Sequence, residues 1–118
     1  MRTLESIEAS YIARFEPRAM GRTTKMIRTL PSAEEVDGKL YIVGLHLDMA
    51  KQIIRDIEKL RGAALAKKCT PISSDQAFFF LRGVDPFNVY IDHTALEYAR
   101  LKDIQFLYSI LDRQNIFQ

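Results

Sequence analysis

The chain contains one cysteine, Cys69, and no uninterrupted apolar run near the length of a membrane-spanning helix, which needs about 18–20 residues. A single cysteine excludes an internal disulfide framework and a metal site built from several thiolates. The first residues also lack the pattern of a secretory signal peptide. These absences predict a protein that does not associate with membranes and that is located in the cytoplasm.

What the chain does have is the composition of an ordinary folded domain. It is 118 residues long, with 47% hydrophobic and 27% charged residues. Compact domains commonly have about 100–150 residues, and a chain of this length can bury a core without disulfides. We therefore expect residues 1–118 to form a single domain.

The net charge of +2 is small, but the cations are unevenly distributed. Residues 14–28 contain five cations and one anion, Glu16, and a second basic cluster lies in residues 61–68. Such clusters attract the phosphates of a nucleotide or of a nucleic-acid backbone, although a solvated face is an equally common explanation. The candidate residues for binding a nucleic acid or another partner are Arg14, Arg18, Arg28, Arg61, Lys67 and Lys68.

Hydrophobic spacing and turn residues divide the chain into alternating helices and strands. Helices are predicted over residues 4–15, 22–30 and 48–60, in a brief segment ending at 81, and from 94 onward; strands are predicted over 39–45, 69–72, 87–92 and 116–117. Gly21 is expected to form a turn, and Asp48 and Thr94 are expected to be N-caps. The last helix is expected to bury Leu101, Ile104, Tyr108 and Leu111.

The alternation of strands and helices predicts an α/β fold, specifically a small three-layer sandwich with a short, mostly parallel sheet. Residues 1–16 would add an N-terminal helix to an α/β core formed by residues 20–112. Ligands of parallel sheets bind at the carboxyl ends of the strands. This geometry is expected to bring the segment around Gly21 and the acid Asp92 to the same edge of the sheet.

The segment Gly21-Arg22-Thr23-Thr24-Lys25 matches the second half of a phosphate-binding loop, in which Gly-Lys-Ser/Thr leads into a helix. Backbone N–H groups in such a turn, with a helix N-terminus behind them, bind anions. Arg22 occupies the lysine position, and Glu16 occupies the position of the first glycine. These five residues are the candidate phosphate- or nucleotide-binding group. The alternative is a helix start with a threonine cap and a surface arginine.

Asp92 and His93 end a predicted strand in the segment Val89-Tyr90-Ile91-Asp92-His93. Phosphate-loop enzymes hold Mg²⁺ with a strand-terminal aspartate, usually through water. Asp92 is therefore a candidate magnesium ligand. Both residues are candidate catalytic groups, since a histidine can accept a proton near neutral pH. Taken alone, Asp92 is better explained as a helix N-cap or as a partner in a salt bridge.

The remaining chemically notable residues give weaker signals. Phe78-Phe79-Phe80 could stack on bases, but three consecutive aromatics on a short helix more often form core with one exposed edge. His46 and His93 have no close cysteine or histidine, so a transition-metal site is not expected. Cys69 is interpreted as a small buried residue.

Several of these motifs occur in an order known from one protein family. Gly21-Arg22-Thr23-Thr24-Lys25-Met26 is followed by a strand at residues 38–43, by Leu81-Arg82-Gly83 and by the acid-bearing segment 89–97. This layout resembles small, phage-type proteins of the P-loop NTPase superfamily, in which the loop reads Gly-Arg-Thr-Thr followed by a basic residue and methionine. It is also similar to a minimal helicase-type ATPase core. The resemblance covers about residues 20–112.

The resemblance implies a phosphate loop at Gly21, Arg22 and Thr23, with Mg²⁺ at Asp92 and ATP or GTP as the cofactor. His93 would stand where the family has its catalytic glutamate. The chain departs from the family in its glycine-poor approach to the loop, in the helical pattern before the loop, and in lacking an evident arginine finger. Phosphoryl transfer depends on positioning and charge stabilisation, so efficient hydrolysis is not expected.

Three functional hypotheses are compatible with these motifs. The first is a phage-type protein on a degenerate P-loop fold that is inactive or weakly active as an enzyme. It would act in the host cytoplasm by binding a protein or nucleic-acid partner, with homodimerisation as a further option. The second is a nucleotide-binding NTPase that uses Arg22, Thr23 and Asp92. The third is a simple basic nucleic-acid-binding protein.

Overall fold

The computed structural model describes the backbone of residues 18–116 and the side chains of residues 22–114. The helix predicted over residues 4–15, and with it Arg14, lies outside the described residues. The same holds for Phe117 of the predicted terminal strand, and Ile116 is the last residue of a helix.

Helices and strands alternate through the described part of the chain. In chain order the elements are α1 (Arg18–Thr29), β1 (Leu40–Gly44), α2 (Leu47–Arg61), α3 (Ala63–Ala66), β2 (Cys69–Ser73), α4 (Ala77–Leu81), β3 (Val89–Ile91), α5 (His93–Tyr98) and α6 (Leu101–Ile116). Short 3₁₀ turns at Ser74–Gln76 and Pro86–Asn88 precede α4 and β3. None of the helices within residues 18–116 is long and apolar enough to cross a membrane.

The three strands form one parallel sheet in the order β2-β1-β3. The central strand β1 pairs Leu40 with Cys69 on one side and Tyr41 with Val89 on the other. Because β1 has neighbours on both sides and helices on both faces, it is a nearly continuous apolar run, as buried parallel strands are. The predicted α/β class with a small parallel sheet is therefore confirmed.

Two hydrophobic cores lie on opposite faces of the sheet, because successive residues of β1 point to opposite sides. Ile42 belongs to the core formed with α1, α2 and α3, which includes Ile27 and Ile57. Val43 belongs to the core formed with α4, α5 and α6, which includes Leu107. All five of these side chains are at most 1% exposed.

The buried face of α6 differs from the predicted one. Leu101 and Tyr108 are 71% and 48% exposed, whereas Leu107 and Ile110 are buried at 0% and 1%. This helix has apolar residues on two adjacent stripes, and contact with α4 and α5 selects the stripe that contains Leu107 and Ile110. Periodicity alone could not distinguish the two stripes.

Three predicted helix starts also shift. The first described helix runs through Gly21 without a turn. Helix α2 begins at Leu47, so Asp48 lies in its first turn, where a carboxylate still interacts favourably with the helix dipole. Asp92, not Thr94, caps α5, and the chain breaks at Ala99 before α6 begins.

Candidate functional site

The carboxyl edge of the sheet forms a crevice between β1 and β3. The connection after β1 packs α2 on one face of the sheet, and the connection after β3 packs α5 on the other face. Ligands of open parallel sheets bind where connections diverge in this way. The backbone N–H of Asp92 donates to the carbonyl of Val43 at 2.8 Å, which continues the pairing of β3 with β1 to this edge.

Asp92 is the centre of a polar cluster in this crevice. Asp92 is only 3% exposed. Oδ1 accepts a hydrogen bond from Thr23 Oγ1 at 2.7 Å, and Oδ2 accepts from the hydroxyl and from the backbone N–H of Thr94. The side chain therefore caps α5 and also fastens α1 to the sheet edge. The expected proximity of the Gly21 segment and Asp92 is confirmed by the contact with Thr23.

The Asp92 carboxyl group is ionised at neutral pH. Burial alone would raise the pKa of Asp92, but His93, Thr94 and Thr23 lower it, and the pKa lies below the ordinary value of 3.8. His93 Nδ1 lies 3.5 Å from Oδ1, which is longer than an ordinary hydrogen bond, and has no hydrogen-bond partner among the described residues. The direct hydrogen bonds to the carboxylate are thus those from Thr23 and Thr94.

The predicted phosphate-binding residues lie on α1. Arg22 Nη1 pairs with Glu97 Oε2 of α5 at 3.1 Å, with both side chains well exposed. Thr23 donates a hydrogen bond to Asp92. Lys25 is exposed. Residues 18–29 are helical, so the backbone around Gly21 does not form the open turn that a phosphate loop uses. Arg22 and Thr23 instead attach α1 to α5 and to the sheet edge.

A cleft of about 380 Å³ opens between α1 and α2 beside this cluster. It lies on the α2 side of the sheet and reaches the crevice at Asp92. The residues that line it are Thr23, Thr24, Met49, Gln52, Ile53, Asp56, Lys59, Leu60, Asp92 and Thr94. Sequence reasoning placed Thr23, Thr24 and Asp92 near one another but gave no indication that α2 supplies most of the wall.

No group of three or more His, Cys, Asp or Glu side chains that could hold a metal ion occurs among the described residues. The Asp92 oxygens accept hydrogen bonds from Thr23 and Thr94, and the second acid of the cleft, Asp56, accepts from Gln52 at 3.1 Å. The residues present therefore do not fit a protein-built magnesium site, although a nucleotide could supply further ligands.

Two members of the second basic cluster bind backbone carbonyls. Arg61 donates to the carbonyls of Ile27 at 2.9 Å and Pro31 at 3.2 Å, and Lys68 donates to those of Ala33 at 2.6 Å and Val36 at 2.9 Å. These carbonyls lie at the end of α1 and in the turns after it, where cations complement the helix dipole. Arg61 and Lys68 thus hold the connection between α1 and β1.

The other predicted basic residues are more dispersed. Arg28 and Lys67 are exposed, and the side chain of Arg18 is outside the described set. Of the described members of the second cluster, Arg61 and Lys68 bind backbone carbonyls and Lys67 is exposed.

The exposed aromatic residues of α4 form a second surface feature, on the other face of the sheet. Phe78, Phe79 and Phe80 are 47%, 69% and 58% exposed, which contradicts the expectation of core with one exposed edge. Ala77 and Leu81, one helical turn apart, bury the inner side of this five-residue helix and leave the three phenylalanines outside.

These aromatic rings form a connected group. The Phe78 ring packs edge-on against Phe79 at 6.0 Å and against Phe106 of α6 at 5.3 Å, measured between ring centroids. The guanidinium carbon of Arg82 lies 4.8 Å from the centroid of Phe78. We call this group, with Phe80, the phenylalanine surface. In the sequence, only the run of three consecutive phenylalanines indicates this surface.

Cys69 is expected to react slowly with alkylating agents in the native protein. It is half-buried, its Sγ lies 3.5 Å from the Leu65 carbonyl oxygen, and burial raises the pKa of its thiol from 9.0 to about 11. Only the thiolate reacts, so at pH 8 alkylation by iodoacetamide should be about 100-fold slower in the native than in the urea-unfolded protein. Mass spectrometry of timed samples measures both rates, and similar rates would contradict this burial.

Comparisons of the chain with protein-family models, with curated proteins and with solved structures gave no match.

Proposed function

We propose that the protein acts by binding a partner protein through the phenylalanine surface, on a degenerate P-loop-type fold that does not hydrolyse nucleotides efficiently. The observation that carries this proposal is the exposure of three consecutive phenylalanines on α4. As a phage-type protein it would act on a host or phage protein in the host cytoplasm.

The cost of exposing these rings supports a binding role. Fully burying a phenylalanine side chain is worth about 1.5–3 kcal/mol, so three rings that are each about half exposed or more forgo a part of this contribution to folding. Single exposed apolar residues are normal, but contiguous exposed apolar groups mark interaction sites. The five-residue helix α4 could satisfy its own packing with Ala77 and Leu81 alone.

The charge at the surface indicates the chemistry of the partner. The Arg82 guanidinium stacks on Phe78, and this side chain has no hydrogen bond or ion pair with another described residue. A guanidinium stacked on an aromatic ring still offers its planar N–H donors to a carboxylate. The surface therefore suits a partner segment that presents apolar side chains to the rings and an aspartate or glutamate to Arg82.

A protein partner is favoured over a nucleic acid. Nucleic-acid binding depends on several cations that contact phosphates, with aromatic rings as stacking platforms. At the phenylalanine surface three exposed rings accompany one cation, Arg82. Elsewhere in the described chain, Arg61 and Lys68 bind backbone carbonyls and Arg22 pairs with Glu97.

One contact favours the second hypothesis, a nucleoside triphosphatase. Thr23 Oγ1 lies 2.7 Å from Asp92 Oδ1, so the threonine that the P-loop resemblance places in the phosphate loop is adjacent to the acid that it assigns to Mg²⁺. Against it stand the helical backbone at Gly21 and the pairing of Arg22 with Glu97. Calorimetry with ATP or GTP and Mg²⁺ tests this alternative: saturable micromolar binding that Arg22→Ala abolishes would establish it in place of our proposal.

The double variant Phe79→Ser/Phe80→Ser is expected to lose partner binding while remaining folded, because both side chains are exposed. A buried aromatic anchor contributes about 2 kcal/mol or more to an interface, so loss of one should weaken binding about 30-fold and loss of both by more than that. Tagged protein is used to capture proteins from extract of the host, and the captured partner is then titrated in purified form. Arg82→Glu should weaken binding as well, through charge reversal.

Tyr98→Ser is the matched control, since Tyr98 is 70% exposed but belongs to α5. Its binding should equal that of the wild type. A partner that binds the double variant and the wild type equally well would place the interface elsewhere. Loss of a sedimenting dimer in the double variant would identify a second copy as the occupant, and binding of labelled DNA or RNA at low salt would support the nucleic-acid hypothesis instead.

A further inference from the structure

We propose that the cleft between α1 and α2 is a binding site for a small organic cation, with an ammonium group directed at Asp92 and an apolar body against α2. This site is independent of the proposed partner surface, since the cleft and the phenylalanine surface lie on opposite faces of the sheet. The size of the cleft, the composition of its walls and the charge at its base suit such a ligand.

The dimensions of the cleft suit a small molecule. Its volume of about 380 Å³ lies within the range of about 300–1,000 Å³ that small-molecule sites occupy. Its position at the carboxyl edge of the sheet is where ligands of open parallel sheets bind. Two helices form its walls, so their rigid backbones position the lining side chains.

The walls are mainly apolar along α2. Met49, Ile53 and Leu60 project from one side of this helix at helical spacing, and all three line the cleft. Leu60 is 50% exposed there, so its apolar surface is uncovered in the described structure. The flexible thioether of Met49 adapts well to an aromatic or aliphatic body. A fully polar ligand would make no favourable contacts with this apolar wall.

The base of the cleft is negatively charged. Asp92 lines it while being 3% exposed, and its hydrogen-bond donors Thr23 and Thr94 are neutral hydroxyls and an N–H, which satisfy the oxygens without cancelling the charge. Asp56 adds a second carboxylate, and Lys59 is the one cation among the described lining residues. A cationic ligand is therefore attracted and a phosphate is repelled.

Asp92 Oδ1 keeps one acceptor site for a further donor, beside His93 Nδ1 at 3.5 Å. A carboxylate offers about four lone-pair sites, and Asp92 Oδ1 accepts from Thr23 alone within hydrogen-bond distance. An ammonium group that approaches through the cleft would donate to this oxygen in a surrounding of low polarity, where such a contact is strong. The rim side chains Gln52 and Asp56 can orient a second polar group.

Three probes of similar size and different charge test the site: benzylamine, benzyl alcohol and benzoate. Each is titrated into the ¹⁵N-labelled full chain at low salt, and amide shifts are followed by NMR. Benzylamine should shift amides of α1, α2 and the Asp92–Thr94 segment with a saturating millimolar dissociation constant. Benzyl alcohol should bind at least about tenfold more weakly, because its hydroxyl can donate to the carboxylate but carries no charge. Benzoate should not saturate.

Variants separate a built site from general attraction. Asp92→Asn should weaken benzylamine binding at least about tenfold. Because Asp92 also caps α5, two variants that leave it intact keep the test decisive: Met49→Trp should block the cleft, and Asp56→Asn should weaken binding severalfold. Glu58→Gln is the matched control, since it removes an exposed carboxylate from the same helix outside the cleft.

Equal binding of benzylamine and benzyl alcohol would overturn the assignment of a cation. So would shifts that survive Met49→Trp, or that fall as much in Glu58→Gln as in Asp56→Asn. Absence of saturation by benzylamine in the wild type would overturn the site itself. None of these results depends on the phenylalanine surface.

Discussion

Gly44→Ala is expected to lower the free energy of unfolding by about 3 kcal/mol, at the upper end of what overpacking costs. Gly44 ends β1 and lies against the first turns of α2. A β-carbon there would lie 2.7 Å from the backbone nitrogen of Ala50 and 3.1 Å from its α-carbon. Neither atom can rotate away, so α2 would have to move off the sheet. The smaller unfolded-state entropy of alanine offsets only about 0.4–1 kcal/mol of this.

Chemical denaturation monitored by circular dichroism measures the effect. The informative control is the double variant Gly44→Ala/Ala50→Gly. Because the contact is with the backbone of residue 50, removing the Ala50 side chain should not restore stability. Ile42→Val in the same strand should cost about 0.5–1.5 kcal/mol, which gives the scale of a small core change. Recovery in the double variant would mean that the side chain of Ala50, and not its backbone, limits the approach.

Some features of this sheet edge could be predicted from the sequence and others could not. The apolar run around Ile42 identified β1 because a strand buried on both faces has to be apolar throughout. The position of Asp92 after a second such run identified it as a residue at the sheet edge and as a possible N-cap, and both predictions are confirmed. The need for glycine at position 44 could not be predicted from the local sequence, since it arises from helix α2, which packs against this residue.

The features that sequence did not predict depend on contacts between distant segments. Gly21 suggests a turn by local preference, but α1 buries Ile27 and is fastened through Arg22 and Thr23, so tertiary contacts support a continuous helix. Arg61 suggests a phosphate-binding cluster by composition. Its acceptors lie about thirty residues earlier in the chain, beyond the reach of any local pattern.

The sequence also did not predict which side of a helix is buried when the helix is very short or has apolar residues on two adjacent stripes. Phe79 is outside because Ala77 and Leu81 hold the inner side of α4, and a five-residue helix has too few residues for a periodic pattern to decide this. On α6, packing selects Leu107 over Tyr108. The phenylalanine surface lies on these two helices, so the sequence could not predict which of their side chains are exposed.

Asp92→Ala is expected to lower the free energy of unfolding by about 3 kcal/mol, since it removes an N-cap and leaves the hydroxyls of Thr23 and Thr94 without their acceptor. Asp92→Asn keeps an acceptor but loses the charge, and should cost less. Among the described hydrogen bonds of Asp92, the one from Thr23 joins α1 to the sheet edge. In a double-mutant cycle of Thr23→Val and Asp92→Asn we expect a coupling of about 1–2 kcal/mol.

Thr29→Val is the control for the threonine substitution, because the Thr29 hydroxyl bonds within α1, to the Met26 carbonyl. It should show no coupling with Asp92→Asn. A coupling below the error of the cycle for Thr23 would mean that the 2.7 Å contact does not stabilise the fold, and that α1 is held by Ile27 and the Arg22–Glu97 pair.

The pH dependence of the Asp92 effect has a defined direction. The folded-state pKa of Asp92 lies below the ordinary value of 3.8, so the native state favours the carboxylate. Its stabilisation is fully present above the unfolded-state pKa and is lost as the pH falls through the lowered folded-state pKa. The difference in stability between wild type and Asp92→Asn should therefore be constant near neutral pH and shrink on acidification. A difference that grows towards acid pH would mean that burial, and not the threonine hydroxyls, dominates at this carboxylate.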